Sequence, residues 1–297
     1  MKDLLLTEPL LDPIVVIGTG TLGRRIALMM VAHGATVHLY DTKPVSSRMA
    51  KGFIIEKLPQ LTSKTECFDG KVEVFDNMED ALKGTKLIIE AIPEVLELKT
   101  SLFSLLDKLA PSDAILASNS SSYPSSKLIG NVSEERRQRV VNTHFYMPPI
   151  QNVVEVGSCG YTDPNVINML TRLLHNYGFI PFIVRKESIG FIFNRVWAAV
   201  KRECLEVVAL GISTPEDVDA IYKITLGVES GPFELMDKIG LDTVYDIEKH
   251  YTDVNAFLSV KPLELLRTYI EDGCLGIKSG KGFYLYDENG NRVTVIN

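Results

Sequence analysis

The sequence predicts an α/β fold in two parts: an N-terminal doubly wound sheet over residues 1–187 and a C-terminal all-α domain over residues 188–297. Three observations predict it. A short apolar strand runs into Gly18-Thr19-Gly20-Thr21-Leu22-Gly23. Strand-like and helix-like runs then alternate as far as Glu187. Beyond Glu187-Ser188-Ile189-Gly190 the chain reads as helices. Alternation of the first kind argues for a parallel sheet covered on both faces.

Ile14-Val15-Val16-Ile17 is the first strand. Gly18 permits a tight turn, Gly20 lets the backbone approach a pyrophosphate, and Gly23 lets the next helix pack closely on the strand. Arg24 to Ala32 read as that helix. Its N-terminus, at Thr21 and Leu22, offers free N–H groups and a positive dipole end to phosphates. Val37-His38-Leu39-Tyr40 is a second strand, closed by Asp41, eighteen residues after Gly23. Strand, turn, helix, strand and acid in this order form a Rossmann-type dinucleotide fingerprint. Asp41 is expected to accept hydrogen bonds from a ribose 2′-hydroxyl, which favours NAD over NADP. Lys43, two residues on, is placed to receive a phosphate and tempers that choice.

Further strands are expected at 71–74, 87–91, 114–117, 140–143, 153–156 and 181–184, and helices at 77–83, 96–109 and 163–177. In the last of these, Val166, Met169, Leu170, Leu173 and Leu174 share one face. The C-terminal part reads as helices at 191–210, 216–222, 232–251 and 263–272, with one further strand at Phe283-Tyr284-Leu285-Tyr286. Ser213-Thr214-Pro215-Glu216 has the form of a cap followed by proline at a helix start.

The net charge of −7 and the pI near 5.4 argue against a nucleic-acid or anionic-membrane partner. The one basic cluster, Glu134-Glu135-Arg136-Arg137-Gln138-Arg139, is mixed in sign. Cys67, Cys159, Cys204 and Cys274 lie far apart, which fits a reducing compartment and no zinc site. The start, Met1 to Glu8, does not read as a signal or transit peptide. The end, Val295-Ile296-Asn297, is no peroxisomal tripeptide. No apolar run approaches the roughly 20 residues that span a bilayer. A cytoplasmic protein with a small-molecule substrate is expected.

His144 falls at the C-terminal end of an expected strand, the edge where open α/β sheets bind ligands. An imidazole there suits removal of a hydroxyl proton as hydride leaves the carbon. Glu155 lies eleven residues on, and Pro148-Pro149 between them imply a bend that returns the chain beside His144. A carboxylate there fixes the imidazole tautomer and stabilises imidazolium. Asn194 interrupts an apolar helix start, Phe191-Ile192-Phe193, where an unpartnered amide is costly. Asn194 and Ser121 carry side chains able to hydrogen-bond substrate oxygens. No metal is needed, because hydride transfer is cofactor chemistry.

Taken together, these motifs resemble the 3-hydroxyacyl-CoA dehydrogenases, a family that includes relatives acting on other hydroxy acids. The likeness runs nearly end to end. It is carried by the fingerprint, by Ile89-Glu90-Ala91-Ile92-Pro93-Glu94 followed by Lys99, and by Ala117-Ser118-Asn119-Ser120-Ser121-Ser122. Asn142-Thr143-His144-Phe145 with Glu155 looks like the family's catalytic pair, and Gly190-Phe191-Ile192-Phe193-Asn194-Arg195 like the start of its interdomain helix. Gly231 to Asp237, Gly240-Leu241-Asp242 and Gly276 to Tyr284 look like its helical dimerisation domain.

The resemblance implies NAD as cofactor, with Glu94, Lys99 and Asn119 near the nicotinamide and its ribose. It implies a homodimer through the helical domain, whose apolar residues Phe233, Leu235, Met236 and Leu241 exceed what a small helical set buries alone. Which of Ser120, Ser121 and Ser122 faces substrate stays open. Two departures bear on the substrate. The family's His-Phe-Phe-Asn-Pro is here His144-Phe145-Tyr146-Met147-Pro148, and the lysine-rich segment that contacts CoA is shortened between Thr42 and Asp76, with Pro59 interrupting it. Lys51, Lys57 and Lys64 remain there. A short-chain L-3-hydroxyacyl-CoA is the expected substrate. A non-CoA hydroxy acid, such as a sugar acid or a carnitine-like molecule, and a non-catalytic NADH-binding protein are the alternatives.

Overall fold

The computed structural model describes residues 12–62 and 70–293. Cys67, Lys64, the first eight residues and the last three, on which expectations were placed above, lie outside them. The chain divides into two compact units, Met1–Ile192 and Phe193–Asn297.

The first unit is built on eight strands: β1 Ile14–Ile17, β2 Thr36–Tyr40, β3 Lys71–Val74, β4 Leu87–Glu90, β5 Ile115–Ser118, β6 Val140–Phe145, β7 Val153–Ser158 and β8 Ile180–Val184. They form one sheet in the order β3-β2-β1-β4-β5-β6-β7-β8. The helices are α1 Thr21–Ala32, α2 Pro44–Thr62, α3 Met78–Ala81, α4 Leu96–Leu109, α5 Glu134–Arg137 and α6 Pro164–Asn176.

Side chains alternate across the pleat, so β1 feeds both faces. Ile14 and Val16 enter one buried cluster with Ile26, Met30 and Ile54 from α1 and α2, and with Leu170 and Leu174 from α6. Val15 and Ile17 enter another with Leu102, Phe103 and Leu106 from α4. Both faces are therefore covered, as a doubly wound sheet requires.

The sheet is parallel except at one place, where the bend expected at Pro148-Pro149 returns the chain. β6 and β7 pair antiparallel, with His144 opposite Glu155. Residues 146–152 join them, too short a link for the dozen or more residues of a parallel crossover. α6 restores the parallel sense between β7 and β8. The segment after β2 also differs from expectation. α2 continues through Pro59, which lies in its last turn, where a missing N–H costs one helical bond.

The second unit holds α7 Phe193–Ala209, α8 Pro215–Leu226, α9 Pro232–Ile239, α10 Leu241–Val254 and α11 Lys261–Glu271. Thr214 caps α8 by accepting from the Asp217 N–H at 3.2 Å. The helix expected over 232–251 is two helices. Gly240 separates them at φ +103°, outside the range a helix allows. The expected strand at 283–286 is absent as a ladder. The N–H groups of Phe283 and Tyr284 donate to Asp237 at 2.9 and 3.0 Å, so isolated bridges are all that form. Phe233, Met236 and Leu241 fill this unit's own core with Leu205 and Leu266, rather than an external apolar face. The exposed apolar side chains of this unit instead include Ile221, Ile224 and Leu226 on α8, and Phe257.

Candidate active site

The strand carboxyl ends of the first unit carry three groups of residues. The first is the glycine turn between β1 and α1. Gly18 sits at φ +90°, and a Cβ there would lie 2.6 Å from the Ala91 carbonyl. A Cβ on Gly23 would lie 2.0 Å from the Gly18 carbonyl oxygen. A Cβ on Gly20 would meet nothing within 4 Å. The first two glycines thus serve packing, and the third leaves open space beside the helix start. Arg24 makes the first helical bond, to the Gly20 carbonyl at 3.2 Å, so the N–H groups of Thr21, Leu22 and Gly23 precede the ladder. No side chain among the described residues caps them. This uncapped end, next to open space, fits a dinucleotide pyrophosphate.

Asp41 follows β2 as expected and also braces the turn. Its Oδ2 accepts from Thr19 N at 2.9 Å and from Thr19 Oγ1 at 3.1 Å, and its Oδ1 accepts from Lys43 N at 3.0 Å. Lys43 is thereby tied to the acid through its backbone.

The second group lies after β4 and β5. Lys99, on α4, is 1% exposed and donates to Glu90 Oε1 at 2.6 Å and to the Ile92 carbonyl at 3.3 Å, with Glu94 Oε2 at 3.1 Å. Glu90 Oε2 accepts from Ser118 Oγ at 2.7 Å. Glu94 accepts from the Ser120 hydroxyl and from Ser122 N, the latter at 2.9 Å. Burial disfavours the Glu94 charge, but the bonds from Ser120, Lys99 and Ser122 outweigh it and hold the carboxyl below the usual carboxylate range. Asn119 Oδ1 accepts from Phe145 N at 3.0 Å. Ser120 is thus committed to Glu94 and to Tyr123 N, while the Ser121 hydroxyl has no hydrogen bond among the described residues.

The third group is the His144–Glu155 pair. The ladder places them opposite, and Nδ1 of His144 lies 2.9 Å from Glu155 Oε2. Both are buried. Glu155 Oε1 accepts from Ile192 N at 2.9 Å. The His144 ring stacks on Phe191, with centroids 5.3 Å apart and planes at 19°, and has Tyr146 5.0 Å away. Phe191 holds φ +50°, a left-handed conformation costing about 1 kcal/mol for an L-residue. Burial, aided by the Glu155 charge, pushes the Tyr146 phenol up, so it stays neutral.

Asn194 belongs to the second unit. It lies in the first turn of α7, half-buried, with no hydrogen bond from its amide among the described residues.

Three contributors were not singled out from sequence: the acid Glu90, the hydroxyl of Ser118 and the Phe191–Ile192 segment. One signal was available. Glu90 ends an otherwise apolar strand, a costly place for an acid without a cation. His33 and His38 bond the Met29 and Ala81 carbonyls through Nδ1.

The fold and this site define an NAD-dependent oxidoreductase. Two family models match the chain: the 3-hydroxyacyl-CoA dehydrogenase NAD binding domain over residues 13–188 and the 3-hydroxyacyl-CoA dehydrogenase C-terminal domain over residues 190–286. The chain belongs to the 3-hydroxyacyl-CoA dehydrogenase family, and NAD is its cofactor. It is 32% identical to a probable 3-hydroxybutyryl-CoA dehydrogenase of Bacillus subtilis, over 93% of this chain and 97% of that one. It is 31% identical to 5-formyl-3-hydroxy-2-methylpyridine 4-carboxylate 5-dehydrogenase of Mesorhizobium japonicum, over 92% and 90%. Among solved structures, (S)-3-hydroxybutyryl-CoA dehydrogenase PaaH1 from Ralstonia eutropha superposes with a TM-score of 0.81 at 28% identity, covering 93% of this chain and 99% of that one. Among the described residues no helix is long and apolar enough to cross a membrane.

Proposed function

We propose that the protein interconverts an L-3-hydroxy compound and its 3-oxo counterpart, with His144 as the base in oxidation and the acid in reduction. The observation that carries this reading is the Nδ1 contact to Glu155, which leaves Nε2 for the substrate. Bound NAD supplies the hydride acceptor. His144 takes the hydroxyl proton at Nε2 as the carbonyl forms. Glu155 holds the tautomer and stabilises the imidazolium, itself held by the Ile192 N–H. Asn194 and Ser121 hydrogen-bond the substrate oxygens. Gly18, Gly20, Thr21, Leu22, Gly23 and Asp41 hold the dinucleotide, with Glu94, Lys99 and Asn119 beside the nicotinamide ribose. The dinucleotide-binding domain is residues 1–187, and the helical substrate and dimerisation domain residues 188–297. The working form is a cytoplasmic homodimer, joined through exposed apolar residues such as Ile224; sedimentation of a monomer at micromolar concentration would refute the dimer.

The family supports a short-chain acyl-CoA as substrate. A second reading, a hydroxy acid without CoA, is favoured by the α2 lysines. Lys57 is occupied by Glu56 at 2.9 Å, and Lys51 is half-buried. A relative named for a pyridine carboxylate supports it too. The test is oxidation of NADH, followed by its absorbance, with acetoacetyl-CoA or free acetoacetate, in wild type and His144→Ala. Turnover of the CoA ester alone supports the first substrate and turnover of the acid the second. Loss of turnover in the variant assigns the base. NADH binding without turnover of either, or of a wider set of hydroxy acids, would leave only a non-catalytic role.

A further inference from the structure

The helical unit buries a cation that has no acid of its own. Lys201, on α7, is 3% exposed and forms no hydrogen bond or ion pair among the described residues. Its ammonium lies 6.0 Å from the centroid of the Trp197 ring. The nearby carboxylate, Glu248 of α10, is itself 2% exposed and is already bound by the Arg202 guanidinium, with Nη2 to Oε2 at 3.2 Å. Arg202 and Glu248 neutralise one another, so the cluster keeps one surplus positive charge. Burial, opposed by Glu248, lowers the Lys201 ammonium to about 8. A buried charge of this kind calls for a counter-ion.

Its place on the helix says which end of the unit that counter-ion enters. Asn194, Ala198 and Lys201 stand at i, i+4 and i+7, one face of α7. Leu205, a turn further on, already belongs to the apolar core. Seven residues span about 10 Å of helix. A helical side chain leans toward its own N-terminus, and the approach of the ammonium to Trp197 follows that rule. Lys201 therefore leans toward the end of α7 that carries Asn194, and neither side chain has a hydrogen-bond partner among the described residues.

We propose that Lys201 is an anion-binding residue of the substrate site and takes the carboxylate of a short, non-esterified 3-hydroxy or 3-oxo acid. The proposal rests on the reading that Asn194 addresses a substrate oxygen, and it chooses between the two substrate branches above. A thioester at the same place is neutral and leaves Lys201 unpaired. The phosphates of CoA lie far from the reacting carbon, and so from a buried residue on the Asn194 face of α7.

Trp197 is the only tryptophan of the chain, so its emission reports on Lys201 without catalysis. The full-length protein is titrated with acetoacetate and with methyl acetoacetate, its neutral ester, in the absence of NADH. The expected result is a saturable change in emission with the acid, none with the ester, and none with either in Lys201→Met. In turnover, the ratio of kcat/KM for acid over ester is expected to fall about a hundredfold in Lys201→Met, the scale of a charged hydrogen bond removed, and to recover in part in Lys201→Arg. An unchanged ratio, or equal emission changes with acid and ester, overturns the proposal. If Lys201→Met does not fold, the wild-type comparison of acid with ester decides alone. The two readings fail separately. Emission changes without turnover of any hydroxy compound would sink the dehydrogenase mechanism and keep the anion site. Turnover of acetoacetyl-CoA with no emission response to acetoacetate would do the reverse.

Discussion

His144 and Glu155 face each other across the single antiparallel pair of an otherwise parallel sheet, with Nδ1 and Oε2 2.9 Å apart. Strand register, rather than a flexible loop, holds the imidazole against the carboxylate. The pair is braced from outside the sheet by the Phe191 ring on one residue and the Ile192 N–H on the other.

Removing the proposed base should therefore slow chemistry and spare binding. His144→Ala is expected to lower kcat by about 10²–10⁴-fold. The NADH dissociation constant, read by nicotinamide fluorescence, should stay near the wild-type value. Glu155→Gln should lower kcat less, since the imidazole remains. A His144→Ala enzyme with wild-type kcat would remove His144 from the mechanism.

The glycines of the turn should separate folding from cofactor binding. Gly23→Ala places a methyl 2.0 Å from the Gly18 carbonyl and is expected to lower the thermal midpoint or prevent folding. Gly20→Ala meets open space, so its midpoint should stay close to wild type. Its methyl stands in the open space proposed for the pyrophosphate, and NADH affinity should fall by about tenfold, or 1.4 kcal/mol. Equal affinity in Gly20→Ala and wild type would place the pyrophosphate elsewhere.

Lys99→Met should unfold more readily than any surface lysine variant. It leaves the buried Glu90 carboxylate, which Lys99 contacts at 2.6 Å, without its cation. Breaking a buried pair in this way costs about 3–5 kcal/mol. Urea denaturation measures it, and a loss under about 1 kcal/mol would mean that the Ser118 hydroxyl and the Ile92 N–H, which donates to Glu90 Oε1 at 2.9 Å, suffice for Glu90.

Glu94 gives stability an acid-side dependence. Its carboxyl is held below its usual range in the folded state: burial alone would raise it, but the bonds from Ser120, Lys99 and Ser122 prevail. A lowered folded value contributes stability that is full above the unfolded value, about 4.3 for a glutamate. That stability is lost as pH falls through the lowered folded value. The gap in urea midpoint between wild type and Glu94→Gln should be widest near neutrality and shrink on acidification below about pH 4. A gap independent of pH would assign the effect to packing.

Much of the site was legible in the chain because its signals are local. Gly18, Gly20 and Gly23 sit in one turn, and Asp41 closes the next strand, so spacing alone carries them. His144 could be placed at a strand end, and Glu155 could be placed near it from the intervening prolines. The same locality explains the errors. Gly240 breaks a helix that periodicity runs straight through, because hydrophobic spacing stays in phase across it. Phe283 to Tyr286 has strand composition, but two of its N–H groups are taken by Asp237, 46 and 47 residues away.

By itself the sequence determined the doubly wound sheet, the helical second part, the glycine turn after the first strand and the place of His144 at a strand end, since each follows from short-range pattern and side-chain chemistry. The tertiary structure alone decided what the buried charges do. Lys99 reads from sequence as a lysine on a helix, and only folding shows that it is enclosed by Glu90 and Glu94. Lys201 and Arg202 are adjacent in the chain, yet Glu248, 46 residues beyond Arg202, bonds the arginine and leaves the lysine without a hydrogen bond or ion pair among the described residues. Periodicity reports which face of an element is apolar. The cost of burying a charge depends on which distant group arrives beside it, and that is a property of packing.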